Sequence, residues 1–148
     1  MPIPRRAFLS LSLGALAACG HRSPPQTFRG ETPEMDQLVA KYATIYRMPS
    51  SLIHTVIRRE SGYNAAARNG TYYGLMKIMP QTAHQMGYNG PASGLLDAET
   101  NLRYAGKYLA GAWMVSHGNQ EKAVYWYSHG YYYEAKRQGL LVQTGLHS

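Results

Sequence analysis

Glu60 is the residue whose setting most invites chemistry. Leu52, Ile53, Val56 and Ile57 form an apolar stripe at helical spacing, and Glu60 continues it, four residues after Val56. Ser61-Gly62 then ends the helix. A carboxyl on the apolar face, at a helix end, is expected to be partly withdrawn from water, and desolvation keeps its proton on. A general acid working near neutral pH needs that. A Glu in such a place can equally reach solvent or pair with an arginine, and its position alone leaves both readings open. Arg58 and Arg59 are its sequence neighbours but project to other sides of the helix.

The other reactive side chains form no comparable set. His54, His84, His117 and His129 lack the spacing of a metal site, so neither metal nor cofactor is expected. Met76 and Met79 read as core residues rather than cofactor contacts, and Trp113 also reads as core. Asp97 and Asn101 read as a helix cap and a loop anchor. Tyr125, Trp126 and Tyr131–Tyr133 make a dense aromatic cluster, about half of which should pack while the rest could stack on sugars.

These residues need a mainly helical frame. Thr32-Pro33-Glu34 opens a first helix with a capping hydroxyl, an early proline and a carboxylate near the positive helix end. Pro49-Ser50-Ser51 starts the helix that ends at Glu60. Asn69-Gly70 signals a tight turn, with a short hairpin expected from flanks 65–67 and 71–73. Pro80 opens a short helix to Met86, stopped by Gly87, and 88–96 read as loop. Asp97 caps a long helix ended by Gly118, Asn119 caps the next, and a last turn falls within Tyr131–Arg137. The expected fold is mainly α, an α+β arrangement with at most a small β hairpin.

Length and composition fit one globular domain, and a net charge of +7 favours an anionic matrix. No basic run has nucleic-acid density, so no nucleic-acid partner is expected. Thirteen tyrosines against two phenylalanines suit the wall of a sugar groove, although tyrosine fills cores too. Arg5-Arg6 followed by the apolar run Ala7–Ala18 has a signal-peptide layout, too short to span a bilayer as a helix. Arg5-Arg6-Ala7-Phe8-Leu9 is also similar to a twin-arginine export signal. Leu16-Ala17-Ala18-Cys19 resembles a bacterial lipobox, and Cys19 is the chain's one cysteine. The resemblance implies a signal peptide over 1–18, cleavage before Cys19 with lipid on its thiol, and a lipidated tether over 19–31. The domain would then run over 32–148. Gly20, where an Asp would favour inner-membrane retention, points to the outer membrane, at the periplasmic face of the envelope.

Four ordered segments carry a family resemblance. They are Glu60-Ser61-Gly62-Tyr63-Asn64, then Gly74-Leu75-Met76-Lys77-Ile78-Met79-Pro80, then Leu96–Leu102 with Tyr108-Leu109, then Ala123–Gly130. In order and spacing they resemble the motifs of soluble-type lytic transglycosylases, lysozyme-like enzymes related to goose-type lysozymes that act on peptidoglycan strands. The likeness runs from about Pro33 to Gly130. It implies that Glu60 is the catalytic acid and then base, and that Ser61 supports its carboxylate or the substrate's acetamido group. It further implies that Tyr63 and Asn64 join the substrate site, that Gly74 lets the backbone approach the sugar chain, that Met76 lines the groove, and that Tyr127 hydrogen-bonds near Glu60. Two positions depart from the pattern. Lys77 stands where the family usually has Gln, and Ser128 where it commonly has Asn. Near Glu60 the Lys77 charge would favour the ionised carboxylate; pointing along the groove it would meet acidic peptide stems.

Most glycosidases use two carboxylates. The acids here are Glu31, Glu34, Asp36, Glu60, Asp97, Glu99, Glu121 and Glu134, with none between 61 and 96, where a lysozyme-like fold would place its second. The inventory favours a one-acid mechanism, and the resemblance implies a lyase reaction that cuts the β-1,4 bond between N-acetylmuramic acid and N-acetylglucosamine and ends in a 1,6-anhydro sugar. A hydrolase of the same bond and a non-catalytic wall-binding lipoprotein are the alternatives.

Overall fold

A computed structural model describes residues 28–147. The segment expected as signal peptide, with Cys19 and most of the tether, lies outside the described residues. Six helices and one two-stranded sheet follow in the order α1 (Pro33–Tyr46), α2 (Ser50–Glu60), β1 (Arg68–Asn69), β2 (Tyr72–Tyr73), α3 (Pro80–Gln85), α4 (Ala98–Val115), α5 (Gln120–His129) and α6 (Tyr132–Gln138). The mainly helical α+β expectation describes this arrangement.

The helix starts follow their caps. Thr32 Oγ1 accepts from the Met35 N–H, Asp97 Oδ1 from Thr100 and Asn119 Oδ1 from Lys122, each satisfying a donor the first turn leaves free. The segment 88–96, expected as loop, instead contains a 3-10 helix over Ala92–Leu96. The hairpin is displaced from its expected place. Asn69 pairs with Tyr72 and Arg68 with Tyr73, so Gly70-Thr71 form the two-residue turn. Gly70 has φ +57 and Thr71 is not left-handed, the pattern of a Gly-X turn rather than an Asn-Gly one.

Helix α4 is the centre of the fold and packs against α1, α3, α5, α6 and the 3-10 helix. Its Leu102, Ala105, Leu109 and Ala112 are fully buried. Small residues let neighbours approach it closely. A Cβ at Gly111 would stand 2.2 Å from the Tyr131 hydroxyl oxygen, which donates to the Tyr108 carbonyl. Helix α2 buries Leu52, Ile53, Val56 and Ile57 against this core, and Glu60 follows at the half-buried rim.

Residues 28–31, expected as tether, are docked on the domain. The Phe28 ring lies 5.7 Å from that of Tyr63, and Glu31 Oε1 accepts from the Tyr63 hydroxyl at 3.1 Å and from Arg58 at 3.2 Å. Residues 28–31 therefore pack on the helical body ahead of the Thr32 cap. Among the described residues no helix is long and apolar enough to cross a membrane.

Candidate active site

Glu60 is the last residue of α2, and the chain turns sharply after it. Ser61 caps the helix, then Gly62 and Tyr63 both take left-handed backbone, with φ +57 and +66. The loop 73–78 lies against this turn and is pinned at almost every backbone group. Tyr73 and Ile78 exchange N–H···O bonds of 3.0 and 3.1 Å. Ser61 Oγ donates to the Leu75 carbonyl at 2.6 Å. Asn101, fully buried on α4, accepts from the Met76 N–H at 2.8 Å and donates to the Tyr73 and Leu95 carbonyls at 2.9 and 2.8 Å. The Tyr127 hydroxyl, from α5, donates to the Met76 carbonyl at 2.8 Å. The loop is thus a rigid bridge between the helices that carry Glu60 and Tyr127.

A groove opens above that bridge in two joined lobes. The first, about 250 Å³, is lined by Glu60, Asn69, Tyr72, Lys77, Tyr127 and Ser128. The second, about 210 Å³, shares Tyr72, Lys77, Tyr127 and Ser128 and adds mainly Thr82, Tyr108 and His129. Neither lobe reaches the ~300 Å³ of a cleft that encloses a whole small ligand. Together they form a trough open to a chain that passes through. Burial, then the charge of Glu60, push the Tyr127 hydroxyl well above its ordinary range, so the phenol stays neutral beside that carboxylate.

Several expected site residues fall elsewhere. Tyr63 is buried, and its hydroxyl sits between His54 Nδ1 at 2.7 Å and Glu31; left-handed backbone turns its side chain away from the groove. Asn64 closes a local turn, accepting from the Ala66 N–H at 3.0 Å, and lines a separate hollow beside Arg29 and Ala65. Met76 is fully buried in the core, so only its backbone serves the loop, and it does not line the groove. Ser61 spends its hydroxyl on Leu75 and Ile57 carbonyls rather than on the Glu60 carboxylate. Gly74 is required by its protein neighbours. A Cβ there would lie 2.1 Å from the Leu95 carbonyl oxygen and 2.3 Å from Asn101 Nδ2, and its φ is +80. Asp97 and Asn101 are the cap and loop anchor they were read as. Lys77, Tyr127 and Ser128 do line the groove with Glu60.

Tyr72, Asn69 and Tyr108 are groove residues that sequence reasoning passed over. The signal for Tyr72 was its place just past the Asn-Gly turn, on a hairpin whose outer face stays exposed. Of the aromatic cluster, Tyr131 is buried, Trp126 half-buried, and Tyr125, Tyr132 and Tyr133 exposed, all outside the groove lining. Among the described residues no three His, Cys, Asp or Glu side chains gather as a metal site would need.

The transglycosylase SLT domain family matches residues 37–139, from the first turns of α1 to just past α6. No solved structure matches the chain. With most of its length inside the match, the chain belongs to the transglycosylase SLT domain family. It is a lytic-transglycosylase type of domain, and that type acts on peptidoglycan.

Proposed function

We propose that this protein is a peptidoglycan lytic transglycosylase in which Glu60 acts alone, first as acid and then as base. One observation carries the reading: among the described residues Glu60 is the one carboxylate lining the groove. Four of the other acids are engaged elsewhere, and none of the seven lines the groove. Glu31 pairs with Arg58, Glu99 with Lys41 and Glu134 with Arg137, while Asp97 caps α4. A second carboxylate within the roughly 5–10 Å that two-acid glycosidases use has no candidate in this lining.

The reaction follows from one acid. Glu60 gives its proton to the oxygen of the β-1,4 bond between N-acetylmuramic acid and N-acetylglucosamine, and the bond to the muramic acid C1 breaks. The substrate's own 2-acetamido oxygen stabilises the cation at that carbon. The ionised Glu60 then takes the proton of the 6-hydroxyl of the same muramic acid, whose oxygen closes on C1. The product is a 1,6-anhydro ring, Glu60 regains its proton and no water is consumed. Tyr127 and Asn101 hold the 73–78 loop so that Lys77 faces the same groove. Tyr72 and Tyr108 offer flat aromatic faces for sugar rings.

The sequence around Cys19 further supports a lipid anchor on the periplasmic face of the outer membrane, which would keep the groove within reach of the wall. Cys19→Ala should then move the protein from membrane to soluble fractions; unchanged fractionation would remove the anchor from this reading. For the chemistry, purified peptidoglycan is digested and the muramic acid ends are identified by mass. Anhydro ends are expected from the native chain and no release from Glu60→Gln. Reducing ends would show a hydrolase, and no release by the native chain would favour a wall binder.

A further inference from the structure

The groove's charges are unevenly placed. Among the described residues its lining holds one carboxylate, Glu60, and one lysine, Lys77. Glu60 lines only the first lobe, whereas Lys77 lines both. The second lobe, walled by Thr82, Tyr108, Tyr127, Ser128 and His129, therefore carries the lysine side chain and no carboxylate. Lys77 forms no ion pair with a described residue. By contrast, the lysines and arginines that pair on the outer surface, Lys41, Arg58 and Arg137, each meet a carboxylate.

The backbone under Lys77 is fixed. Its N–H donates to the Gly74 carbonyl at 3.0 Å, and its neighbours Met76 and Ile78 are held by Asn101, Tyr127 and Tyr73. Its φ is +49, a left-handed conformation that is strained for a residue with a side chain. Such strain persists where surrounding contacts over-determine it, often at binding sites. A strongly hydrated point charge on a rigid base, facing neutral hydroxyls, discriminates by charge more than by shape.

We propose that Lys77 selects substrates bearing a free carboxylate beside the glycan strand, docked in the second lobe with the Thr82 and Ser128 hydroxyls near it. On a peptidoglycan strand that anion belongs to the peptide stem of muramic acid. Amidation of the stem carboxylate would remove the charge Lys77 reads. The placement keeps the anion in the lobe Glu60 does not line. This inference rests on the glycan-cleaving reading of the groove but is tested apart from cleavage.

The test is binding by the Glu60→Gln chain to soluble glycan oligomers with peptide stems, one set with free stem carboxylates and one with the same carboxylates amidated. Binding of the free-acid set is expected to be on the order of tenfold tighter, the worth of one hydrogen bond to a charged group, and the gap should narrow with added salt. In Glu60→Gln/Lys77→Gln the ratio should fall to near one, and in Glu60→Gln/Lys77→Arg most of it should remain. Thermal midpoints establish that each variant is folded. A ratio near one with Lys77 present, or a ratio that Lys77→Gln leaves unchanged, overturns the inference. Anhydro-end release by the native chain is read separately, so a lost preference with cleavage intact and a lost cleavage with preference intact point to different failures.

Discussion

The Ser61 hydroxyl donates to the Leu75 carbonyl at 2.6 Å, across 14 residues of sequence, and so ties the end of the Glu60 helix to the loop that carries Lys77. The bond joins two walls of the first lobe. Ser61→Ala removes it and leaves the Leu75 carbonyl without this donor, at a cost of about 1 kcal/mol. Turnover should fall more than affinity, because the strand still finds the groove while Glu60 loses its fixed distance from the opposite wall. Thermal denaturation and steady-state cleavage of peptidoglycan check this. A variant with native turnover would show that the bond does not position Glu60.

Asn101 holds three backbone groups from one fully buried side chain. In Asn101→Ala the Met76 N–H and the Leu95 carbonyl lose their partner, the Tyr73 carbonyl keeps only the Ile78 N–H, and a void opens beneath the loop. The expected loss is about 3 kcal/mol or more. Asn101→Asp keeps the shape but, when ionised, offers only acceptors to two carbonyls, and so should fare no better. Urea unfolding measures both, and a loss under about 1 kcal/mol would mean the loop is held elsewhere.

Much of this was legible in the chain. Thr32, Asp97 and Asn119 announce their helices because capping is a local matter of one side chain and the next turn. Glu60 could be placed because its stripe is periodic. Periodicity stops at Ser61. With left-handed backbone at Gly62, Tyr63, Gly74 and Lys77, side-chain direction no longer follows from spacing; the family resemblance puts Tyr63 and Met76 at the groove, and both lie in the core, where Met76 belongs by its residue type. Residues 28–31 look like tether by composition. Their docking depends on Tyr63 and Arg58, contacts of 27 or more residues' separation that no local pattern carries.

Two sets of groups contribute to the pH dependence of the fold. Hydrogen bonds from Lys41 and then Tyr42 hold Glu99 below its usual 4.5, and those from Arg137 and then Gln138 hold Glu134 at about 2. A lowered carboxyl favours the folded state above 4.5, and that contribution is lost as pH falls toward 2. Burial first, then neighbouring charges or hydrogen bonds, push Tyr46 and Tyr63 up to about 12. A raised phenol contributes fully below 10 and loses its contribution as pH rises from 10 through 12. The thermal midpoint should therefore drop at both ends of a pH series. Glu134→Gln should flatten the acid slope and Tyr63→Phe the alkaline one. Slopes identical to the native protein's in these variants would assign the limits to other groups.

Tyr127 joins the loop to α5 through its bond to the Met76 carbonyl, and it stands close enough to Glu60 for that charge to raise its hydroxyl further. These are separate roles, and Tyr127→Phe divides them. Loss of the bond leaves a buried carbonyl unpaired, about 1–2 kcal/mol. If the same loosening is felt in the transition state, kcat/KM falls by roughly tenfold for each 1.4 kcal/mol. The phenol is neutral throughout the working range, so its removal takes away no titrating group. The pH profile of kcat/KM should keep its shape while dropping in height. An alkaline limb that disappears in Tyr127→Phe would instead make Tyr127 a proton-transfer group, and Glu60 would no longer act alone.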